Sequence, residues 1–301
     1  MSSIAVILIS YNMADMIRDC INSLLKQTVS GFRLIIIDDA SFDQTECVVK
    51  SFVAPNIHYV KNSQHCGIAT SRNAGLSELI DEEIIFFIDA DCIADPNWIK
   101  EGLKLFMEDK DVIAVEGFTT YVSSDYRPCL SEKLYHRDYG PGLCQTKNVA
   151  YTREVFKKIG GFDAKNFNSL CEDTDFFYSA KKELPKGKFL ICLDMKVVHR
   201  KALWTIPSFL KDAHKAKYFI RLLKKHGRIS SWSELLFGFI LSPKNFMLGL
   251  FPPAIFFYIW KNKIRINSFK DALFIVLYVV KAHCFRLLAW YYMIKEKYFV
   301  V

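Results

Sequence analysis

With 301 residues, 51% hydrophobic and 24% charged, the chain has the composition of a folded protein and the length for one large core or two modest ones, which excludes a disordered polypeptide. Its nine cysteines stand singly with no Cys-x-x-Cys pair, which speaks against a zinc knuckle or redox dithiol and fits a reducing cytosol. The formal charge of +8 is placed late: from Leu235 onward only Asp271 and Glu296 are acidic, while bases such as Lys244, Lys261, Lys281 and Arg286 sit among long apolar runs, a pattern for a membrane surface and not for nucleic acid.

The chain opens with a strand pattern at Ile4–Ile9. No basic region precedes it, so no signal peptide is expected and the N-terminal region stays on the side where it is made. Helical and β-branched runs then alternate: helix Ala14–Lys26, strand Phe32–Ile37, helix Gln44–Phe52, strand Ile57–Val60, helix Ile68–Leu79, strand Ile84–Ile88. Runs apolar on both faces, such as Leu34-Ile35-Ile36-Ile37 and Ile84 through Ile88, belong in a parallel sheet covered by helices on each side. Such sheets bind ligands beyond the carboxyl ends of their strands.

Farther on, Val112–Val122 reads as strand and Asp125–Gln145 as a flexible loop over the site. Val149–Ile159 is expected to be a helix closed by Gly160-Gly161, and Glu172–Lys182 another, closed by Pro185 and Gly187. Phe189–Leu193 reads as a short strand leading to Val197-Val198-His199. Phe209–Lys225 has the pattern of a basic amphipathic helix. Leu235–Trp260 carries one charge, Lys244, and is broken by Pro243, Pro252 and Pro253, so a re-entrant hairpin or in-plane helices compete with a span. In Ala272–Ile294, the central Lys281, His283 and Arg286 favour interfacial seating over crossing.

Acids fall where the sheet would present a ligand site. Asp38-Asp39 follows the second strand and Asp89-Ala90-Asp91 the fourth, so both pairs are expected to face one crevice. Alone, Asp-x-Asp after a strand is a solvated loop; in a crevice, Asp89 and Asp91 project to one side and can hold a hard divalent cation bridging two phosphates. Asp39 suits a base N–H and Tyr11 the face of the base. Arg72 either salt-bridges or reaches a phosphate or the base. Glu172, Asp173 and Asp175 open a helix, where acids often only cap; the sharper reading makes Asp173 a general base for an acceptor hydroxyl. His199 at a strand end is either structural or a metal ligand.

Six segments, in order, resemble family 2 glycosyltransferases of the GT-A fold: Val6 through Asn12, Ile37 through Ser41, Gly67 through Gly75, Phe87 through Asp91, Asn148 through Tyr151 before Ile159 through Asp163, and Glu172 through Asp175. The resemblance covers roughly residues 3–200. It implies an α/β, Rossmann-like and mostly parallel sheet in a catalytic domain over 1–228, while the apolar and basic composition of the tail predicts a helical, membrane-associated region over 229–301. It further implies an inverting transfer from a UDP-, GDP- or dTDP-sugar to the hydroxyl of a glycan or lipid-linked acceptor, with Mg²⁺ or Mn²⁺. By that resemblance Tyr11, Asp39, Arg72, Asp89 and Asp91 contact the nucleotide sugar, Asp91 with Asp89 and His199 hold the metal, Asp173 is the base, and Asn148, Glu172 and Asp175 line the acceptor region. Ile9, Thr152 and Cys171 depart from the family's usual proline, arginine and glycine without removing a carboxylate. The Gln-x-x-Arg-Trp motif of processive synthases is not matched by His214 through Tyr218, which favours single-sugar transfer. The expected location is the cytoplasmic side of the cell membrane, peripheral or integral through the C-terminal region.

Two rivals remain. A catalytically silent, membrane-tethered nucleotide-sugar-binding or scaffold protein is disfavoured by the joint presence of Asp91 and Asp173. A nucleotidyltransferase would carry a Gly-rich phosphate loop after the first strand, where Ser10-Tyr11-Asn12-Met13 offers none.

Overall fold

The computed structural model describes residues 3–122, 142–200, 206–227, 234–236, 239–241 and 269–298. The expected loop Asp125–Gln145 lies largely outside these residues, as does most of the apolar stretch Leu235–Trp260. Contacts divide the chain into two compact units, one of residues 1–123 and 138–200, the other of 124–137 and 201–301.

In the first unit the elements run β1 (Ile4–Ser10), α1 (Ala14–Leu25), β2 (Arg33–Asp38), α2 (Thr45–Lys50), β3 (Ile57–Lys61), α3 (Ile68–Ser77), β4 (Ile84–Asp89), β5 (Cys92–Ala94), α4 (Trp98–Glu108) and β6 (Val112–Val122). They continue with β7 (Asn148–Thr152), α5 (Arg153–Ile159), α6 (Ala164–Phe167), α7 (Glu172–Glu183) and β8 (Lys188–Arg200). One eight-stranded sheet has the order β3-β2-β1-β4-β7-β6-β8-β5. Strands β1 to β4 pair in parallel, as their two-sided hydrophobicity predicts.

Period-two alternation splits the core between the faces of the sheet. Ile4, Val6 and Leu8 pack with Ile17, Ile21, Trp98 and Ile99 from α1 and α4. Ala5 and Ile7 face the other way, toward Ala69, Val155, Phe156, Phe176 and Phe177. Two-sided cover of this kind leaves the strand ends as the place where polar side chains gather.

The stretch expected as one helix over Val149–Ile159 is instead strand β7 followed by helix α5, and this corrects the sequence reading. Val149, Ala150 and Tyr151 are fully buried because β7 inserts antiparallel between β4 and β6. Arg153 begins the helix, which closes on Gly160 in the left-handed region at φ 85°. Likewise β8 is one strand of 13 residues and not a short strand with a separate tail. Its pairing with β6 jumps from Gly117↔Cys192 to Phe118↔Lys196, so Leu193, Asp194 and Met195 bulge out of register. A Cβ on Gly117 would collide with the Met195 carbonyl, so this close approach of two backbones needs glycine.

The second unit contains α8 (Ile206–Lys211), a 3₁₀ turn (Asp212–His214), α9 (Lys215–His226), a short antiparallel pair β9 (Glu234–Leu236) and β10 (Phe239–Leu241), and α10 (Phe269–Lys295). The expected amphipathic helix over Phe209–Lys225 is thus interrupted by the 3₁₀ turn. Ala216 and Ile220 of α9 are buried against Ala289 and Met293 of α10, and Arg221 Nε donates to Glu296 Oε1 at 2.8 Å. The apolar stripe of α9 is therefore used inside this unit. Helix α10 exposes Val276, Val280, Leu287, Trp290, Tyr291 and Ile294. Among the described residues no helix is long and apolar enough to cross a membrane.

Candidate active site

The parallel strands deliver their last residues to one edge. Ser10 pairs with Asp38, and Ile9 with Asp89, so the ends of β2, β1 and β4 are neighbours there. Antiparallel pairing of Cys92 with His199 brings the start of β5 beside the end of β8 at the same edge.

Of the first acidic pair, Asp38 does not open outward. It is fully buried, accepts the Tyr59 hydroxyl at 2.6 Å and the Ser41 N–H at 2.8 Å, and so holds the turn after β2 together. Asp39 is also almost fully buried, but its two oxygens face the turn before α3. Oδ1 accepts the Asn62 amide and the Cys66 N–H, both at 2.9 Å, and Oδ2 accepts the Gly67 N–H at 2.9 Å. Burial alone would raise this carboxyl, yet the hydrogen bonds from Cys66, Asn62 and Gly67 hold it at about 2. His65 Nδ1 lies 2.8 Å from Oδ2, and the His65 ring stacks on Tyr11 with centroids 4.1 Å apart at 27°. Tyr11 is partly exposed, with Phe42 edge-on at 6.3 Å.

The second acidic pair divides. Asp89 Oδ1 accepts from Arg72 Nη2 at 3.2 Å. The same guanidinium donates through Nη1 to Glu172, so one buried cation joins the end of β4 to the start of α7. Arg72 thus takes the ion-pair alternative of the sequence reading, with Phe162 beneath its guanidinium at 5.9 Å. Burial lifts the Glu172 carboxyl even beside Arg72, and the neighbouring Asp173 lifts it further. Asp173 is itself raised by burial, against the pull of Arg72 and of hydrogen bonds from Thr174, with Asp89 adding to the rise. A carboxylate raised in this way is a stronger base than one in water.

Asp91 turns toward β8. Its Oδ1 is 3.5 Å from His199 Nε2, and burial and Asp89 raise its carboxyl while His199 opposes them. His199 Nδ1 is 2.7 Å from the Arg200 carbonyl. A proton on Nδ1 leaves Nε2 with its lone pair toward Asp91. Arg200 in turn pairs with Asp19 on α1, and its N–H donates to the Asp91 carbonyl at 2.8 Å, which fixes the strand end that carries His199. One ligand atom each from Asp91, Cys92 and His199 lie within 4.8 Å of one another, a spread that one divalent cation can occupy. The Asp91 carboxylate suits a hard divalent cation, and Asp89 stands beside this group, paired to Arg72.

The three residues expected at the acceptor, Asn148, Glu172 and Asp175, are all buried. Asn148 spends its amide inside the sheet: it accepts from Trp98 Nε1 at 2.8 Å and donates to the carbonyls of Phe118 and Met195, both at 3.1 Å. Asp175 is buried in the first turn of α7, and Glu172 is tied to Arg72. Residues that pattern reading passed over are Asn62 and His65, which engage Asp39, and Asn168, whose Oδ1 accepts from the Thr70 N–H and hydroxyl at 3.0 Å each. None of the three has a local signal, unlike Gly67 beside them at φ 90°, since a glycine directly before a helix marks a tight turn.

Comparison with known proteins accords with this geometry. The model of "Glycosyl transferase family 2" matches residues 5–206. A glucosyl-dolichyl phosphate glucuronosyltransferase of Haloferax volcanii is 25% identical over 53% of this chain, which spans 56% of that relative's length. A putative teichuronic acid biosynthesis glycosyltransferase, TuaG of Bacillus subtilis, is 29% identical over 71% of this chain and 97% of its own. Among solved structures, the mannosyltransferase PcManGT from Pyrobaculum calidifontis, in complex with GDP-Man and Mn²⁺, superposes with TM-score 0.62 over 97% of this chain and 87% of that one at 15% identity, a likeness of fold.

Proposed function

The chain belongs to glycosyl transferase family 2, and we propose that it moves one sugar from a nucleotide diphosphate to an acceptor hydroxyl with inversion. The observation that carries this reading is the Arg72 bridge. It brings the acids after β4 and those at the start of α7, more than 80 positions apart, into one charged cluster.

On this reading the parts divide the work. Tyr11 packs on the base and Asp39 accepts from it. An ionised carboxylate at that place selects bases with a ring N–H on the recognition edge, which uracil, thymine and guanine have and cytosine and adenine lack. A Mg²⁺ or Mn²⁺ ion held by Asp91 and His199, with Asp89 adjacent, would neutralise charge on the diphosphate. Asp173 takes the proton of the acceptor hydroxyl as its oxygen attacks the anomeric carbon. The bond to the diphosphate breaks in the same step, and the nucleoside diphosphate leaves with the electron pair. One displacement from the face opposite the leaving group gives inversion. Acceptors of the polysaccharide, glycolipid or lipid-linked class fit a protein that works at the cytoplasmic surface of a membrane, a contact that falls to the exposed apolar face of α10.

Asp173→Asn tests the assignment. Transfer should fall by about 10²–10⁴, with nucleotide binding nearly intact. Unchanged turnover would remove Asp173 from its role.

A further inference from the structure

Of the contacts on Asp39, one differs in kind from the rest. The donors at Cys66 and Gly67 are backbone N–H groups, with the part-buried Cys66 thiol adding a bond at 3.0 Å, and Asn62 is half-buried just past the end of β3. His65 is the exception. Its side chain is 55% exposed and lies in the irregular stretch between β3 and α3, where Ser63 and Gln64 are exposed as well. A rotation of its side chain would break no strand or helix.

The way that ring is held matters more than its mobility. It is flat and lies stacked on Tyr11, with centroids 4.1 Å apart and planes 27° from parallel. From that stacked position Nδ1 reaches Asp39 Oδ2 at 2.8 Å, so the Nδ1–H tautomer donates to the carboxylate. A planar ring stacked on Tyr11 with a ring N–H directed at Asp39 is a description of a bound nucleobase as much as of this imidazole.

We propose that His65 is an intramolecular stand-in for the donor's base, occupying the base subsite until a nucleotide displaces it. This rests on the reading of Tyr11 and Asp39 as that subsite. The exchange is conservative: the base takes over one stacking contact and one N–H···carboxylate bond, while Asn62, Cys66 and Gly67 keep Asp39 in place throughout. The stand-in covers the polar floor of the subsite and the Tyr11 face when no donor is present. It also lowers apparent donor affinity, because binding competent molecules are only the fraction with the ring swung out. It acts only on ligands that carry a base.

The test is calorimetric titration of UDP, GDP and inorganic pyrophosphate, each with Mn²⁺, into the full-length wild type, His65→Ala and Tyr11→Ala. With the stand-in removed, His65→Ala binds UDP and GDP roughly three- to tenfold more tightly, while pyrophosphate, which has no base, binds both proteins alike. Tyr11→Ala binds the nucleotides more weakly. In the wild type, the His65 ring resonances move toward the positions of a solvated histidine as UDP is added. Unchanged or weaker nucleotide binding by His65→Ala, alongside a weakened Tyr11→Ala, overturns the stand-in and makes His65 a clamp on the base. Equal tightening for pyrophosphate overturns it too. If Tyr11→Ala leaves UDP and GDP affinity untouched, the base-subsite reading fails and the stand-in falls with it.

Discussion

Replacing Arg72 by methionine keeps an unbranched stem in place of its methylenes but removes the cation that Asp89 and Glu172 share. Breaking a buried ion pair by deleting one partner costs about 3–5 kcal/mol. Two features put this site near the lower bound, at about 3 kcal/mol at pH 8. The Asp89 side chain is 35% exposed and keeps part of its hydration. Glu172 is already raised by burial, so it takes up a proton instead of remaining a bare charge. The second feature fixes the sign of the pH dependence. A carboxyl whose folded pKa lies above its unfolded value of 4.5 binds its proton more tightly in the folded state, so stability is lost as pH rises through and above that value. The deficit of Arg72→Met is therefore largest at pH 8 and shrinks toward about 1 kcal/mol at pH 5, the cost of a neutral but poorly paired carboxyl. Urea unfolding of both proteins at pH 8, 6.5 and 5 measures it. In the double variant Arg72→Met/Glu172→Gln the charge is gone, and stability at pH 8 should recover by more than 1 kcal/mol, the coupling expected of two groups in contact. A deficit independent of pH, or a double variant no more stable than the single, would refute the account.

The turn before α3 gives a second prediction: a Cβ on Gly67 would lie 2.8 Å from the Asn168 amide at a φ of 90°, so Gly67→Ala should cost about 1–3 kcal/mol by thermal unfolding and weaken UDP binding by loosening the grip on Asp39. Asp39 gives a third. A folded pKa of about 2 against the ordinary 3.8 stabilises the fold by about 2 kcal/mol above pH 3.8, and this is lost as pH falls through 2. Asp39→Ala should thus be less stable than wild type at pH 6, with the gap closing toward pH 2; a gap that stays constant speaks against it. For α10, the full-length chain should sediment with vesicles of anionic phospholipid, and Leu287→Glu with Ile294→Glu should weaken that binding at least tenfold, on the scale of about 1.5–3 kcal/mol per buried side chain. Binding unaffected by these substitutions would discard the membrane contact.

The strands of the first half are legible because short β-branched runs bounded by turn residues and alternating with helical patterns suit a two-sided sheet, and β1 to β4 fall within a residue or two of their expected bounds. The misreading of Val149–Ile159 is instructive. Val-Ala-Tyr-Thr is short and apolar, equally compatible with the buried start of a helix, and what makes it a strand is pairing with β4 some 60 positions earlier. In the same way the acids could be found from their positions at strand ends, but not their partners. That Arg72 serves Glu172, 100 positions away, is decided by the packing of α3 and α7 over the sheet. Nor does any local pattern separate Asp38, which bonds inward to Tyr59, from Asp39, which bonds to the next turn; the left-handed Ala40, at φ 62°, reports that divergence only once the backbone is seen. Asn148, expected in the acceptor region, sits in β7 and bonds to β6, to β8 and to Trp98 of α4, partners that no local pattern names.

The reversed direction of β7 has a mechanical corollary. Because β7 runs against β4 and β6, Asn148 sits level with Ile88, and the chain departs from β6 and comes back to β7 on the one border of the sheet that also bears Asp39, Asp89 and Asp91. Had β7 been parallel, the chain between them would have had to travel the full height of the sheet. As it is, Glu116 on β6 accepts the N–H groups of Gly142, Cys144 and Gln145 just ahead of β7, so the re-entry of the chain into the sheet is pinned at that same border.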